Sequence, residues 1–403
     1  MNEEERRARR RAVRHFGKLV DGQLARLEAV RAGVERADLS KARPLVIGVV
    51  NGDGIGPIIT REAQRVLVLL LRDEVVSGAV ELRTIEGLTL AARVRAGMAI
   101  PDAVMGELRR CHVILKGPTS TPRQGDGLPN IESANVAMRR ELDLFANVRP
   151  VRVPSLGIDW VFFRENTEGA YLLGSEGVSV TPDLAFDFTV ATGPGSERVL
   201  EMAFDYARKH GAGRVTVVTK SNVIKLTDGM FLEMAREVAK RYPDIGWDDW
   251  YVDIMAANLL DPERRAQFRV LVMPNLYGDI LTDEAAQLQG GVGTAGSANI
   301  GTRYAMFEAI HGSAPRMVEE GRAEYADPQS VLRASVMLLR HIGREAAARR
   351  LEMALDVCGI YERAVKVTGR AGGATASQFT DYVIQVLVDA GLEDRWRRHQ
   401  TGP

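Results

Sequence analysis

Val13, Phe16, Val20, Leu24 and Leu27 recur at spacings of three and four in a stretch from Arg6 to about Val34 that has no proline. This is the period of one amphipathic helix. Downstream the pattern changes. Leu45 to Val50 is a continuous Val- and Ile-rich run that breaks into Asn51-Gly52-Asp53-Gly54-Ile55-Gly56-Pro57 and then a helical stretch from Ile58 to Leu71. A buried strand, a glycine-rich turn and a helix are predicted. The same rhythm returns at Val113 to Leu115 before Lys116-Gly117-Pro118, at Val215 to Val218 before Lys220, and at Val270 to Met273 before Pro274-Asn275. Strands alternating with helices predict an α/β fold with a largely parallel sheet. Tyr171 to Val190 departs from this, alternating apolar and polar residues around Gly174, Gly177 and Pro182, which suits an antiparallel arm.

Composition narrows the function more than the fold. A chain of 403 residues favours two domains or one large α/β unit. Lys plus Arg and Asp plus Glu are balanced at 53 each, so no global field favours nucleic acid, a membrane surface or an acidic partner. The longest clean apolar run, Val66 to Leu71, is far short of a membrane span. The arginines at 6, 7, 9, 10 and 11 follow Glu3, Glu4 and Glu5 and precede no apolar segment, which fits neither a secretory signal nor a transit peptide. That charge run is expected to be a solvated helix face, the helix packing on its own domain or on a subunit neighbour. With two distant cysteines, Cys111 and Cys358, a reducing cytoplasm fits best.

Asp279 and Asp283 follow a predicted buried strand and are four apart, so a helix starting near Gly278 places both carboxylates on one face. Like charges at that spacing repel unless a cation justifies them. A divalent ion with oxygen ligands is one reading, and first-turn acids favoured by the helix dipole are the other. Arg139, Arg149 and Arg164 punctuate the segment from Ser133 to Tyr171. Converging guanidinium forks would suit a di- or tricarboxylic acid, while each alone reads as a structural arginine. Gly52-Asp53-Gly54-Ile55-Gly56-Pro57 is a weak dinucleotide fingerprint, since it lacks the G-x-x-G spacing and ends in proline. Lys116 to Pro122 offers a lysine and hydroxyls in a proline-bounded loop, a ligand-facing edge or a plain turn.

Taken in order, these segments resemble the isocitrate and isopropylmalate dehydrogenase family of β-decarboxylating dehydrogenases over nearly all of residues 44 to 390. The residues that carry the likeness are GDGIGP at 52–57, KGPTSTP at 116–122, ESANVAMRRELDLFANVRP at 132–150 and RENTEGAY at 164–171. They continue with KSNVIKLTDG at 220–229, NLYGDILTDEAA at 275–286, and SANIG with FEAIHGSAP within 297–315. The resemblance implies a two-domain fold with a second α/β domain and a β-arm at a dimer interface. It divides the chain into an N-terminal extension at 1–43, a large cofactor-binding domain at 44–144 and 291–403, and a substrate, metal and dimerisation domain at 145–290.

The resemblance also implies roles. Arg139, Arg149 and Arg164 would clamp the substrate carboxylates, helped by Lys116, Thr121, Ser133, Asn135 and Asn222. Asp253, Asp279 and Asp283 would hold Mg2+ or Mn2+. Lys220 and Tyr171 would be the acid/base pair, with Lys220 and Asp253 contributed by the partner subunit of a homodimer. His311, Gly312, Ser313, Ala314 and Pro315 would form the adenosine loop.

Lys116 with Ser120, Thr121, Ser133 and Asn135 resembles the isocitrate branch, although Glu132 stands where isopropylmalate enzymes carry a glutamate, and a few residues are inserted between Pro122 and Ser133. Arg316 stands where NAD-specific members usually have aspartate, and Arg370 occupies a second usually acidic slot. Two cations there suit the 2′-phosphate of NADP, which is therefore expected over NAD, while Asp327 replaces the usual asparagine before Pro328. The expected activity is oxidation and decarboxylation of isocitrate to 2-oxoglutarate. Isopropylmalate, homoisocitrate, malate or tartrate are the alternative substrates, and a non-catalytic regulatory subunit of the same fold is the alternative class.

Overall fold

The computed structural model describes residues 3–122 and 125–400. Positions 123 and 124, inside the segment expected to be inserted before Ser133, lie outside the described residues, as do the last few residues of each terminus. Two compact units are present. The first comprises the chain up to Arg36, Phe145–Asn147 and Pro154–Thr282, and the second Ala37–Leu144, Val148–Val153 and the chain from Asp283 onward.

In the first unit the strands Ile158–Glu165, Val270–Met273, Arg214–Thr219 and Gly246–Tyr251 lie side by side in that order, every pair parallel. Val270–Met273 is buried at every residue, as a central strand covered on both faces must be, and so reads as an unbroken apolar run. Gly246–Tyr251 closes the edge. Its sequence, GWDDWY, shows no such run because it is only partly covered, and the apolar pattern did not predict it. The helix Gly193–Lys209 buries Val199, Leu200, Ala203, Phe204 and Ala207, one helical face. Its N-cap, Thr192, accepts the Gly195 amide at 3.0 Å.

The N-terminal helix runs from Glu3 to Ala32 and belongs to this unit. Phe16 stacks on Phe188 with centroids 5.5 Å apart, and His15 Nε2 lies 2.8 Å from the Glu176 carbonyl. The expected antiparallel arm is the pair Val178–Thr181 and Leu184–Phe186.

In the second unit the strands Val80–Thr84, Leu45–Val50, Val113–Lys116 and Ala305–Ala309 are parallel, and Gly296–Ile300 runs antiparallel to Ala305–Ala309. The helices Gly56–Leu70, Gln329–His341, Glu345–Asp356 and Ala376–Val388 accompany this sheet. Their core gathers Ile47, Ile59, Leu67, Phe307, Val331, Leu339, Leu355 and Phe379. Both cysteines are buried and free. Among the described residues no helix is long and apolar enough to cross a membrane.

Candidate active site

In the second unit the carboxyl ends of Leu45–Val50, Val113–Lys116 and Ala305–Ala309 lie together, because the three strands are parallel neighbours. Loops leaving such ends form the usual ligand crevice of an α/β sheet. The Gly52–Pro57 turn clasps the other two loops. Asp53 accepts the amides of Leu90 and Ser120 at 2.8 Å each, its own amide donates to Pro118 O at 2.7 Å, and Ile55 N donates to Ser313 O at 3.0 Å. Ser120 Oγ and Ser313 Oγ are 2.8 Å apart. Gly54, at φ +62°, would place a Cβ 1.9 Å from Ser313 O, so only glycine permits the approach. The glycines thus serve loop against loop.

Lys116 is fully buried, with its ammonium 3.1 Å from Glu308, and Arg139 meets the other oxygen of that carboxylate at 3.2 Å. Asn299 adds a third donor at 2.8 Å. Burial opposes ionisation of Glu308, but Lys116 and Arg139 outweigh it and hold the group down at about 2. Glu308 went unnoticed in the sequence because an acid inside an apolar strand carries no periodic signal. Glu132 is gripped by Arg140 at 2.5 and 3.0 Å, an ion pair that accounts for the glutamate locally. Ser133 is the N-cap of the helix Ala134–Glu141 without a capping hydrogen bond from its side chain. Asn135 accepts from the Thr119 hydroxyl at 3.0 Å, and Thr121 is exposed. Arg149, 4% exposed, donates to Asp283 at 3.0 Å.

Around the expected adenosine loop, Ala314 adopts a left-handed backbone (φ 47°, ψ 57°), a conformation unusual for a residue with a Cβ. His311 is half-buried, which pushes its imidazole below the usual value. Gly312 and Pro315 are exposed, whereas Ser313 is buried. Arg316 and Arg370 both act on Glu320, the first from 3.6 Å, although Arg322 holds that carboxylate most tightly. Arg322 also donates to Gly369 O. It is a third cation that the sequence reading missed, since nothing in its spacing separates it from a surface arginine. Asp327 accepts the Gln329 amide at 2.9 Å and the Gln329 side chain at 3.0 Å. Burial raises it to about 6.

The helix carrying both predicted acids begins at Asn275, three residues earlier than Gly278, and its residues through Thr282, Asp279 among them, belong to the first unit. Arg164 is the penultimate residue of the strand Ile158–Glu165 and pairs in register with Met273, so it lies near the start of this helix. Its Nε and Nη2 donate to Asn275 Oδ1 at 3.0 and 2.6 Å, and its Nη1 pairs with Asp279. The Tyr171 hydroxyl donates to the other Asp279 oxygen at 2.8 Å, and the guanidinium carbon is 5.4 Å from the Tyr171 ring centroid. A Cβ at Gly278 would sit 2.5 Å from Arg164 Cγ. Gly278 and Asn275 therefore let the arginine lie across the helix, a function invisible to spacing.

Elsewhere in this unit Lys220 Nζ lies 2.5 Å from Asp253, whose carboxyl is held below the usual range by that ammonium. The Lys220 amide donates to Asp228 at 2.6 Å, and Asn222 is exposed in the following turn. Among the described residues no three acidic, histidine or cysteine side chains of one chain gather closely enough to hold a metal ion. The cations facing Asp279 and Asp283 in the structure are Arg164 and Arg149. Both acids retain exposure, 36% and 54%, and offer hard oxygen donors four residues apart, a donor set that fits a divalent ion completed by further ligands.

The profile of the isocitrate/isopropylmalate dehydrogenases matches residues 46–383. The chain belongs to this family. Subunit 2 of the mitochondrial NAD isocitrate dehydrogenase of Schizosaccharomyces pombe is 34% identical over 349 residues, 85% of this chain and 87% of that protein. The homoisocitrate dehydrogenase of Methanocaldococcus jannaschii is 36% identical over 81% of this chain and 92% of its own. The crystal structure of isocitrate dehydrogenase from Methylococcus capsulatus superposes with a TM-score of 0.74 at 37% identity, covering 85% of this chain and 99% of that one. Relatives within the isocitrate/isopropylmalate dehydrogenase family thus differ in substrate, and the helix Glu3–Ala32 lies outside the matched span.

Proposed function

We propose that this family member is a dehydrogenase that oxidises and decarboxylates isocitrate with NADP and Mg2+ or Mn2+, working as a homodimer. The observation that carries the reading is the array at Asp279. One candidate metal-binding carboxylate there receives both the hydroxyl of the candidate acid, Tyr171, and the guanidinium of a candidate substrate clamp, Arg164.

The divalent ion would supply a Lewis acid to the substrate's hydroxyl and ketone oxygens, and the nicotinamide would accept the hydride. Arg139, Arg149 and Arg164 hold carboxylates as planar bidentate donors. Lys220, provided by the partner subunit, would take the hydroxyl proton as its neutral amine, and Asp253 at its side holds the ammonium that results. Tyr171 returns a proton to carbon after CO2 leaves. Ser133 keeps its hydroxyl out of helix capping, and Asn135 keeps its amide nitrogen out of the Thr119 contact, so both can meet the outer carboxylate that distinguishes isocitrate.

The fission-yeast relative is named as a subunit of an enzyme, yet Tyr171, Lys220, Asp253, Asp279 and Asp283 are all present here, which favours the catalytic reading. The test is a panel of isocitrate, homoisocitrate, isopropylmalate, malate and tartrate with each nicotinamide and each ion. Fastest reduction of NADP with isocitrate is expected. Preference for a longer or apolar acid would overturn the substrate, and no turnover with any of them would overturn the enzyme.

A further inference from the structure

The turn after Arg164 contains two buried carboxylates, Glu165 at 3% and Glu168 at 2% exposure. Glu165 caps its own turn, accepting the amides of Thr167 at 2.7 Å and Glu168 at 2.8 Å and the Thr167 hydroxyl at 2.8 Å. Glu168 reaches the N-terminal end of the helix Gly193–Lys209, accepting the Thr192 amide at 2.8 Å and the Thr192 hydroxyl at 2.6 Å. Burial, with Glu168 as a charged neighbour, raises Glu165 to about 7. A cation answers them from an unexpected place. Arg26, in the N-terminal helix, sets Nη1 at 2.9 Å from Glu168 Oε1, with Nη2 3.4 Å from the Thr167 hydroxyl. Its side chain is only 17% exposed.

The same turn leads to the candidate clamp. The Glu168 carbonyl accepts from Asn275 Nδ2 at 2.9 Å, and the opposite end of that amide, Oδ1, receives Arg164. An amide used at both ends fixes its own orientation and transmits the position of the turn to the guanidinium. Gly169 lets this happen, since a Cβ there would already be 3.0 Å from Asn275 Cβ at φ +76°.

We propose that Arg26 is a positioning residue: by docking on Glu168, the N-terminal helix sets the Glu165–Gly169 turn and, through Asn275, the aim of Arg164 at the hydroxy-acid carboxylate. The last step rests on the reading of Arg164 as a substrate ligand. The helix is thus part of the site's scaffold, although it lies outside the span that defines the family.

Two measurements on the full chain test this. Arg26→Ala should raise KM for the hydroxy acid about tenfold, leaving KM for the nicotinamide nucleotide and kcat within about twofold, because the clamp binds ground and transition states alike. Arg26→Lys, which keeps the charge, should recover most of that loss. A purely structural role would not single out one KM. Hydrogen exchange without ligands supplies the second readout: in Arg26→Ala the amides of 165–169 and 275–279 should exchange about tenfold faster or more, with those of Val199 to Ala207 unchanged. Unaltered exchange in both segments overturns the proposal whatever the substrate is. Faster exchange in both segments supports the link even if the wild-type protein binds no hydroxy acid by calorimetry, a result that would sink the functional reading alone. Faster exchange with an unchanged acid KM overturns the role at the clamp.

Discussion

Lys220 and Asp253 form an ion pair within one chain, 2.5 Å from nitrogen to oxygen, and both belong to the first unit. A candidate base and a candidate metal ligand that travel together can be delivered together to a partner's site. If they are, Lys220→Met and Tyr171→Phe each lose about 10²–10⁴ in kcat with KM within a few-fold, since an acid/base group acts in the transition state. Mixing the two inactive variants and allowing exchange should then restore activity. Half the dimers become hybrids, and each hybrid holds one site with both residues intact, so recovery approaches about a quarter of wild type. Recovery would have to come from sites shared between chains, and a mixture that stays inactive after verified exchange argues that each protomer works alone.

Asp283 is the cleaner probe of the metal, because Asp279 also serves Tyr171 and Arg164. Asp283 is 54% exposed and faces Arg149, so Asp283→Asn keeps the shape and removes one hard anionic donor. The Mg2+ concentration giving half-maximal rate should rise about tenfold or more, and excess chelator should abolish turnover of the wild-type protein. Full activity in chelator removes the metal from the reaction.

The parts that could be read from the sequence were those where one physical demand writes a pattern. Leu45–Val50 and Val270–Met273 match their expected bounds because a strand buried on both faces must be apolar throughout. Val80–Thr84 and Gly246–Tyr251 did not announce themselves, for edge strands need cover on only one side. At the candidate site, the acids four apart and the arginines were visible as residue types. The partners that orient them were not. Glu308 under Lys116, Asn275 under Arg164, Arg140 on Glu132 and Arg322 on Glu320 act through contacts made 2 to 192 positions away in sequence. Spacing carries no trace of them.

Asp327 predicts a pH dependence of stability. Its folded-state value is about 6 against an ordinary 3.8, because burial disfavours the charged form. Between those values the folded protein holds a proton that the unfolded chain has released, so stability falls as pH rises through this window and stays lowered above about 6. The full penalty is on the order of 3 kcal/mol at neutral pH. Asp327→Asn retains an oxygen for the Gln329 amide and removes the charge. Denaturant titrations should find the variant on the order of 1–3 kcal/mol more stable at pH 8 and equal to wild type near pH 4. A constant difference across the series would show that Asp327 titrates as an ordinary carboxylate.

The proposed preference for NADP rests first on Arg316. Its guanidinium is 85% exposed and only loosely held, 3.6 Å from Glu320, an exposed pair of a kind that adds little to stability. It is therefore available to a ligand, while Arg322 holds Glu320 and leaves Arg316 and Arg370 as the cations with charge to spare. Charge-assisted bonds to a 2′-phosphate contribute about 1.5–3 kcal/mol each. Arg316→Asp should thus cut kcat/KM for NADP by about 10- to 100-fold, with repulsion adding to lost attraction, while kcat/KM for NAD holds or improves as the new carboxylate accepts the ribose hydroxyls. The melting temperature should barely move. Arg370→Ala should shift the ratio in the same direction by less, having no repulsive charge to add. Steady-state kinetics with both nucleotides decide the matter, and a wild-type protein that already prefers NAD would show that these arginines serve something other than the phosphate.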